Sequence, residues 1–320
     1  MTNPLVDDEM RRARDVISTR TQHDLPYGPL PGDVIVRQSS IGSWQLCPGR
    51  VGHSTDEGFI ATPSAAMYRG TLAHAVIAAA LLSPEGPMNS MPDRATVLAL
   101  MDAIAPEQGG FHPNQVASAG QVDLLIDEIQ DAYVSWYSTV YEPRIAHETL
   151  VAVERKLFLP LGTAHHDNVV WLQGTPDAVM QAGVFDWKTG GRSWAVNKEG
   201  LSKGSFGPQA PLYLALANHN LGTALQDFTF CVYAVEDRQW QFFPTRWDEH
   251  SIEAALLNAL MVGRSIGAEA FPYTPFVSEF GKVKRGWHCS PTYCGAWNIC
   301  PGKRMIEDGY DTEQVATAGW

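Results

Sequence analysis

The residues best suited to catalysis lie in one stretch of the 320-residue chain, GTPDAVMQAGVFDWKTG, which begins at Gly174. Asp177 falls in one short β-rich run, and Asp186 and Lys188 stand two apart in the next run. Side chains two apart in a strand share a face, so Asp186 and Lys188 are expected to point the same way. The turn around Ala182–Gly183 predicts a hairpin that brings Asp177 alongside Asp186.

The chemistry that these residue types favour is metal-assisted hydrolysis. Two carboxylates and the Trp187 backbone carbonyl are hard oxygen ligands, of the kind that Mg²⁺ and Mn²⁺ prefer. A lysine beside them can position or deprotonate a water, or neutralise charge that develops on a phosphate. On its own, an Asp-x-Lys pair on a strand is more typical of a surface ion pair, so the neighbouring residues have to distinguish the two interpretations.

Three neighbouring features favour the catalytic interpretation. Glu154 begins the preceding strand-like run. Gln209 and Tyr213 stand four apart at the start of a helix and therefore share a face. His74 lies in the apolar helix YRGTLAHAVIAAAL, where a histidine is either a core residue with satisfied hydrogen bonds or an imidazole ligand for a metal.

Four segments resemble, in this order, the motif set of RecB-like members of the PD-(D/E)XK nuclease superfamily: RGTLAHAVI, GTPDAVM, VFDWKTG and QAPLYLAL. The resemblance implies an α/β fold whose restriction-endonuclease-like core has a mixed central sheet flanked by helices. It also implies a metal-dependent exonuclease that hydrolyses phosphodiester bonds from DNA ends, in end processing of the recombination, repair or replication kind.

The same resemblance gives roles to single residues. It implies a catalytic Mg²⁺ or Mn²⁺ ion bound by His74, Asp177, Asp186 and the Trp187 carbonyl. Lys188 would act on the attacking water or on the scissile phosphate. Glu154 matches an acidic residue often found before the Asp strand, as a further catalytic position. Gln209 and Tyr213 match a Q-x-x-x-Y helix that lines the DNA path.

The five cysteines are expected to be metal ligands or core residues, since nothing in the sequence predicts export to an oxidising compartment. Three of them form C-x₄-C-x₅-C in a loop rich in Gly, Pro and aromatic residues: Cys289, Cys294 and Cys300. The stretch SSIGSWQLCPGR around Cys47 resembles the N-terminal cysteine motif of iron–sulfur nucleases of the CRISPR-associated RecB-like and AddB types. That resemblance implies a [4Fe–4S] cluster held by these four cysteines. The C-x₄-C spacing departs from the commoner C-x₂-C, so zinc with His288 as a substitute ligand is the alternative. Cys231, in an apolar strand, is interpreted as a core residue.

The net charge of −12 is unevenly distributed along the chain. Residues 188–213 contain four cations and one anion, and residues 281–304 contain five cations and no anion. A local positive surface captures phosphates whatever the total charge, although short basic loops are also ordinary solvated surface. We expect these segments to hold DNA with little sequence preference, through Arg192, Lys198, Lys203, Lys282, Lys284 and Arg285.

The order of predicted elements suggests four consecutive segments. Residues 1–36 are interpreted as a weakly ordered leader, and residues 37–149 as an N-terminal helical lobe with Cys47 and the histidine motif. Residues 150–270 form the predicted nuclease core, where short β-rich runs begin. Residues 271–320 form the predicted iron–sulfur staple and tail. Within the lobe, apolar residues at helical spacing predict core packing for Leu125, Ile129, Ala132, Trp136 and Val140.

The expected partner is DNA with a linear or single-stranded end. No apolar run is long enough to span a bilayer and the N-terminus lacks a signal peptide, so we expect no membrane association and a cytoplasmic location. The chain lacks a G-x-x-x-x-G-K-[ST] loop, which disfavours an ATP-driven motor but leaves room for a homo-oligomer or for a helicase or recombination partner. The alternative function is a partner-dependent or catalytically weak iron–sulfur or zinc subunit of a helicase–nuclease complex.

Overall fold

The structure is a computed structural model that describes residues 4–21, 28–55, 65–104, 119–164, 168–190, 208–271, 276–279, 282–285 and 300. Contacts divide the chain into two compact units, each built from separated stretches. The first unit contains Thr62–Leu159 and Gln173–Leu256, and the second contains Pro4–Ala61, Pro160–Leu172 and Leu257–Trp320. The four consecutive segments suggested by the sequence stay a prediction, because the units follow spatial contacts rather than chain order.

The first unit is built on a five-stranded mixed sheet. Its strands are β2 (Leu150–Val153), β5 (Ala178–Met180), β6 (Val184–Gly190), β7 (Asp227–Ala234) and β8 (Gln239–Arg246). The spatial order is β2-β5-β6-β7-β8, and every neighbouring pair is antiparallel except β6 and β7, which run parallel. A mixed sheet in an α/β fold is the architecture that the sequence predicts.

Helices of the first unit are α4 (Ala65–Leu82), α5 (Arg94–Ile104), α6 (Ala119–Trp136) and α7 (Gln209–Leu221). A π-helix, Tyr137–Ile145, continues α6 and contains Pro143. Proline lacks the N–H of an α-helical hydrogen bond and clashes with the preceding turn, and the wider π-helix accommodates it. The predicted apolar stripe along this segment is confirmed, with Ile129, Ala132, Trp136 and Val140 buried and Leu125 half-buried in the core.

Tryptophan side chains fill the core behind strand β6. The Trp187 ring packs edge-on against Trp136, with ring centroids 5.9 Å apart, and against Trp240, with centroids 6.4 Å apart. Since successive side chains in a strand alternate between faces, this packing turns Asp186 and Lys188 toward the other face of the sheet. The core therefore fixes the orientation of the polar residues that the sequence singles out.

The second unit contains the helices α1 (Pro4–Thr21), α2 (Gln38–Leu46) and α3 (Pro48–Thr55) and the strand β1 (Val34–Arg37). It also contains the antiparallel pair of β9 (Phe276–Glu279) and β10 (Lys282–Arg285). Most of β3 (Leu157–Thr163), β4 (Val169–Gly174) and α8 (Glu249–Gly267) belongs to this unit as well. Strands β1, β4 and β3 form a three-stranded sheet in that order. The carboxylate of Asp33 binds the start of β4, because it accepts hydrogen bonds from Val169 N at 2.9 Å and from Trp171 Nε1 at 3.0 Å.

The second unit includes part of the predicted leader, which stays a prediction as a segment. The leader over residues 1–36 contains helix α1, whose Val6, Ala13 and Ile17 are buried. Their spacing of seven and four residues places them on one helix face, and burying that face supplies the order that polar composition appeared to exclude. Among the described residues, no helix combines the length and the apolar character needed to cross a membrane.

Candidate active site

The candidate site begins where the pairing of β5 and β6 ends. The antiparallel register pairs Ala178 with Phe185, so Asp177 and Asp186 occupy the next positions along the two strands. There the Asp177 side chain replaces a main-chain partner, because its Oδ2 accepts a hydrogen bond of 2.6 Å from the Trp187 backbone nitrogen. The predicted hairpin and the predicted proximity of the two aspartates are both present in the structure.

His74 reaches the site from helix α4. Its Nδ1 lies 3.3 Å from Asp177 Oδ1 and 3.7 Å from Glu154 Oε1. Gly70, one helical turn earlier, explains the close approach of α4 to β6, since a Cβ there would lie 3.2 Å from Thr189 Oγ1. The His74 imidazole therefore faces two carboxylates, which agrees with a histidine of satisfied hydrogen bonds and with a metal ligand, and its role as a ligand stays a prediction.

Glu154 follows strand β2 with its backbone in the left-handed region, at φ +44°. This conformation is unfavourable for residues other than glycine, typically by about 1 kcal/mol or more. The Glu154 N–H donates to the Asp177 carbonyl at 3.1 Å, which ties the strained residue to the aspartate strand. Two other residues with positive φ, Arg238 and Glu269, follow β7 and α8. The strain at Glu154 is therefore informative only together with its contact to His74.

Asp186 and Lys188 form the second half of the cluster. The Asp186 side chain is 1% exposed, and its Oδ2 lies 2.5 Å from Lys188 Nζ as a buried ion pair. Its other oxygen, Oδ1, accepts a hydrogen bond of 2.6 Å from Gln209 Nε2. The predicted common face of Asp186 and Lys188 is therefore confirmed, and each oxygen of the Asp186 carboxylate has its own neighbour.

The pKa values in this cluster reflect crowding of like charges in a buried place. Burial, with the Asp177 charge, raises the pKa of Asp186 to about 7 against the opposing effect of Lys188. Burial likewise raises the pKa of Glu154. Burial opposes the charged form of His74, but the Asp177 and Glu154 carboxylates prevail and raise the pKa of His74 to about 10. Burial also opposes ionisation of Asp177, whose pKa is nevertheless held below its usual value by His74 and Lys188.

The donor set fits a divalent cation. Within the described part of the chain, one group of side chains has ligand atoms all within 4.8 Å of one another: His74, Glu154 and Asp177. Carboxylate oxygens with an imidazole nitrogen suit Mn²⁺ or Mg²⁺, and a cation would stabilise the charged form of Glu154, whose pKa is raised by burial and by the Asp177 charge. The sequence had placed Asp186 in this set and left Glu154 to a less defined catalytic role. In the structure Glu154 joins the compact group, and Asp186 adjoins it.

Gln209 and Tyr213 lie in the cluster rather than on an open surface. Gln209 is 5% exposed and Tyr213 is 8% exposed. Burial, with the nearby Asp186 charge, raises the pKa of Tyr213 far above its usual value. Their predicted contact with DNA stays a prediction. The sequence did not anticipate the hydrogen bond from Gln209 to Asp186.

The glycine of the GTPD segment makes room for helix α7. A Cβ at Gly174 would lie 2.6 Å from Leu216 Cδ1 and 2.7 Å from Tyr213 Cε1. Both atoms belong to buried side chains with little freedom to move. This glycine is therefore a sequence signal for the position of α7, and through α7 for the position of Gln209.

We expect Gly174→Ala to displace α7, to lower the free energy of unfolding by about 1–3 kcal/mol through overpacking, and to reduce activity that depends on Asp186. Gly28→Ala is the matched control, because a Cβ there meets nothing within 4 Å. Urea unfolding of both variants measures the difference. Equal stability of the two variants would contradict the packing argument.

Several predicted residues lie outside the described residues: Arg192, Lys198, Lys203, Cys289 and Cys294. Lys282, Lys284 and Arg285 form strand β10, of which the structure describes the backbone. Cys47 is buried and Cys300 is half-buried, and neither is in a disulfide. Cys231 is fully buried in β7, and burial raises the pKa of its thiol well above the usual value, as expected for a core cysteine. The four cysteine ligands of the [4Fe–4S] cluster stay a prediction.

Comparisons with known proteins add little to this geometry. No protein-family model and no curated protein matches the chain. The crystal structure of SSO0001 aligns over 91% of this chain and 95% of its own, with 12% identity and a TM-score of 0.38. The alkaline exonuclease LHK-Exo from Laribacter hongkongensis aligns over 67% of this chain and 94% of its own, with 14% identity and a TM-score of 0.28. Its complex with dAMP aligns over the same shares, with 15% identity and a TM-score of 0.31. At such low identities and TM-scores, these likenesses carry no conclusion about what this chain does.

Proposed function

We propose that this chain is a metal-dependent DNA nuclease, and specifically an exonuclease that hydrolyses phosphodiester bonds from DNA ends. The observation that carries the proposal is the convergence of one imidazole, three carboxylates and one ammonium beside the end of the β5–β6 pairing. Three of the four motifs that resemble the RecB-like nucleases contain His74, Asp177, Asp186 and Lys188 in the family's order along the chain, and Glu154 lies between the first and the second motif.

In this proposal the metal is held by the side chains of His74, Glu154, Asp177 and Asp186. A bound Mg²⁺ or Mn²⁺ ion supplies Lewis-acid activation of a water and neutralises charge at a phosphate. The Trp187 N–H fixes the orientation of Asp177 by its hydrogen bond to Oδ2, leaving Oδ1 on the side of His74. We also propose the Trp187 backbone carbonyl as a ligand of the metal, as the resemblance implies.

Exposure of the side chains indicates from which direction a substrate arrives. Glu154, His74 and Lys188 are 34%, 24% and 18% exposed, whereas Asp177 and Asp186 are 7% and 1% exposed. The two aspartates therefore form the buried floor of the site, and the other three form the rim that a phosphodiester can reach. Lys188 holds a proton at Nζ, where a cation can neutralise charge on the phosphate or orient the attacking water.

The DNA contacts outside the cluster are proposed from the sequence. The basic segments with Arg192, Lys198 and Lys203, and with Lys282, Lys284 and Arg285, would bind the phosphates of a strand that leads to the rim. Tyr213 and Gln209 would support this path from helix α7.

The second cofactor is also a proposal. We infer a [4Fe–4S] cluster held by Cys47, Cys289, Cys294 and Cys300, with zinc as the alternative metal. Protein purified without oxygen distinguishes them, because a cluster gives a brown solution with about four iron and four sulfide ions per chain. A colourless protein with one zinc ion per chain would replace the cluster by a zinc site.

A nuclease assay tests the proposed function directly. The full-length protein is incubated with end-labelled linear DNA and with covalently closed circular DNA, in Mn²⁺, in Mg²⁺ and in EDTA. We expect degradation of the linear DNA with either metal, survival of the circles, and no reaction in EDTA. Cleavage of the circles would assign an endonuclease instead, and inertness on every DNA under all conditions would refute the nuclease proposal for this chain.

A further inference from the structure

Gln209 is a buried neutral side chain with a charged partner. It begins helix α7, is 5% exposed, and donates from Nε2 to Asp186 Oδ1 at 2.6 Å. Asp186 is itself 1% exposed, so water does not satisfy its oxygens. A buried carboxylate of this kind depends on hydrogen-bond donors from the protein. A hydrogen bond to a charged acceptor is stronger than a hydrogen bond to a neutral acceptor.

The orientation of the Gln209 amide is determined by the group that it faces on strand β6. Toward the strand, the carboxylate of Asp186 requires the nitrogen end of the amide, since a carboxylate accepts and an amide oxygen cannot donate. Within the helix, Tyr213 lies one turn after Gln209 on the same face. Tyr213 packs against Gly174, where no side chain competes for its place. The amide therefore has a charged partner, and the helix that carries it has a packed support.

The two oxygens of Asp186 have separate neighbours. Gln209 Nε2 binds Oδ1, and Lys188 Nζ lies beside Oδ2. A single ammonium can hold a carboxylate at one oxygen but leaves it free to rotate about its last bond. With a second donor at the other oxygen, the carboxylate plane is fixed. Because the second donor is neutral, it adds no positive charge that would compete with a cation.

We infer that Gln209 is a positioning residue, which fixes the Asp186 carboxylate in the orientation that binds the catalytic metal. The inference rests on the proposed function and deepens it, since it concerns the same site. Loss of the Gln209 donor leaves Asp186 held by Lys188 alone. The carboxylate would then turn toward the Lys188 ammonium and away from the metal ion. We expect a loss of about 10–100-fold in metal affinity, the usual effect of removing such an outer partner.

The test compares Gln209→Met with Asn220→Ala in the full chain. Methionine keeps the length and helix propensity of glutamine but removes the donor. Asn220 lies on the same helix, donates to Phe158 O and Leu216 O, and has no contact with the carboxylates among its hydrogen bonds. The Asn220→Ala change therefore disturbs the packing of α7 without altering the candidate site. The readouts are Mn²⁺ binding by calorimetry, the Mn²⁺ concentration for half-maximal DNA degradation, and thermal unfolding.

We expect Gln209→Met to raise the Mn²⁺ dissociation constant and the half-maximal Mn²⁺ concentration together, by about 10–100-fold, while Asn220→Ala leaves both at the wild-type values. If Gln209→Met merely loses thermal stability, as Asn220→Ala does, and binds Mn²⁺ like the wild type, the positioning role is overturned and the nuclease proposal stands. If the wild type itself neither binds Mn²⁺ nor degrades DNA, the proposed function fails and this inference fails with it. If the Gln209→Met protein does not fold, Gln209→Glu takes its place, because it keeps the shape but presents an acceptor to Asp186. Its Mn²⁺ dissociation constant and half-maximal Mn²⁺ concentration are then compared with those of the wild type in the same way.

Discussion

Replacing Asp177 with asparagine is expected to lower the rate of DNA degradation by about a thousandfold, the scale of losing a key electrostatic group in a water-excluded site, and to abolish Mn²⁺ binding in the same protein. Asp177 is the group through which the halves of the cluster meet. Its Oδ1 faces His74 Nδ1 at 3.3 Å, and its Oδ2 accepts the Trp187 N–H at 2.6 Å.

The isosteric change separates charge from shape. Asparagine fills the same volume but has one acceptor oxygen in place of two and carries no charge. If its oxygen accepts from Trp187 N–H, its NH₂ group faces His74, which removes the anion that stabilises the imidazole and one ligand oxygen. If it turns the other way, two donors face each other at Trp187. Either orientation weakens the metal site without opening a cavity.

The measurement is the rate on end-labelled linear DNA at a Mn²⁺ concentration that saturates the wild type, together with Mn²⁺ binding by calorimetry. Asp227→Asn is the matched control, because Asp227 is 52% exposed and pairs with Arg246 at the surface. An exposed pair of this kind contributes at most about 1 kcal/mol to stability. We expect the control to bind Mn²⁺ and degrade DNA like the wild type. An Asp177→Asn protein that does the same would remove Asp177 from the proposed site.

The local part of this site could be predicted because it depends on short-range geometry. The two-residue periodicity of a strand fixes the common face of Asp186 and Lys188, and the short turn before Val184 fixes the register that aligns Asp177. The apolar stripe of α6 is equally local. Such features need only the chain direction and the spacing, which the sequence contains in full.

The rest depends on how distant elements pack. Gln209 meets Asp186 across 23 positions of sequence, and the position of α7 depends on Gly174 at the end of β4, which leaves room for Tyr213 and Leu216. The Q-x-x-x-Y spacing predicted a shared helix face but not what that face would contact. The role of Glu154 was similarly hidden, because its left-handed backbone turns the side chain toward His74 and strand periodicity does not describe such a conformation.

Helix α1 shows a different limit of local sequence patterns. Its buried residues Val6, Ala13 and Ile17 are few, and most of the residues between them are charged. Sparse apolar positions in a polar segment resemble a disordered leader until a partner surface is known. Here the partner contacts include Arg264, whose guanidinium donates to Glu9 Oε2 at 2.7 Å. Tertiary contacts, rather than intrinsic propensity, determine the order of this helix.

Lys188→Met is expected to separate metal binding from catalysis. Lys188 lies beside Asp186, and although burial opposes its charge, the carboxylates of Asp186, Asp177 and Glu154 raise the pKa of its ammonium. The group is therefore a cation at neutral pH. Its removal takes one positive charge away from the carboxylates, so the affinity for Mn²⁺ should stay at the wild-type value or increase. The rate at saturating Mn²⁺ should fall by about 100–1,000-fold, because the ammonium that neutralises charge at the phosphate is lost.

This split between affinity and rate distinguishes Lys188 from Asp177, for which both are expected to fall. Lys156→Met is the matched control, since Lys156 is exposed in the loop between β2 and β3. Lys188→Arg is the second variant in case the buried Asp186 destabilises the methionine protein. It keeps the cation but changes its shape, so we expect normal folding and Mn²⁺ binding with a partial loss of rate. A Lys188→Met protein that degrades DNA at the wild-type rate would show that Lys188 only balances the charge of Asp186, and the chemistry at the phosphate would then have to come from the metal ligands alone.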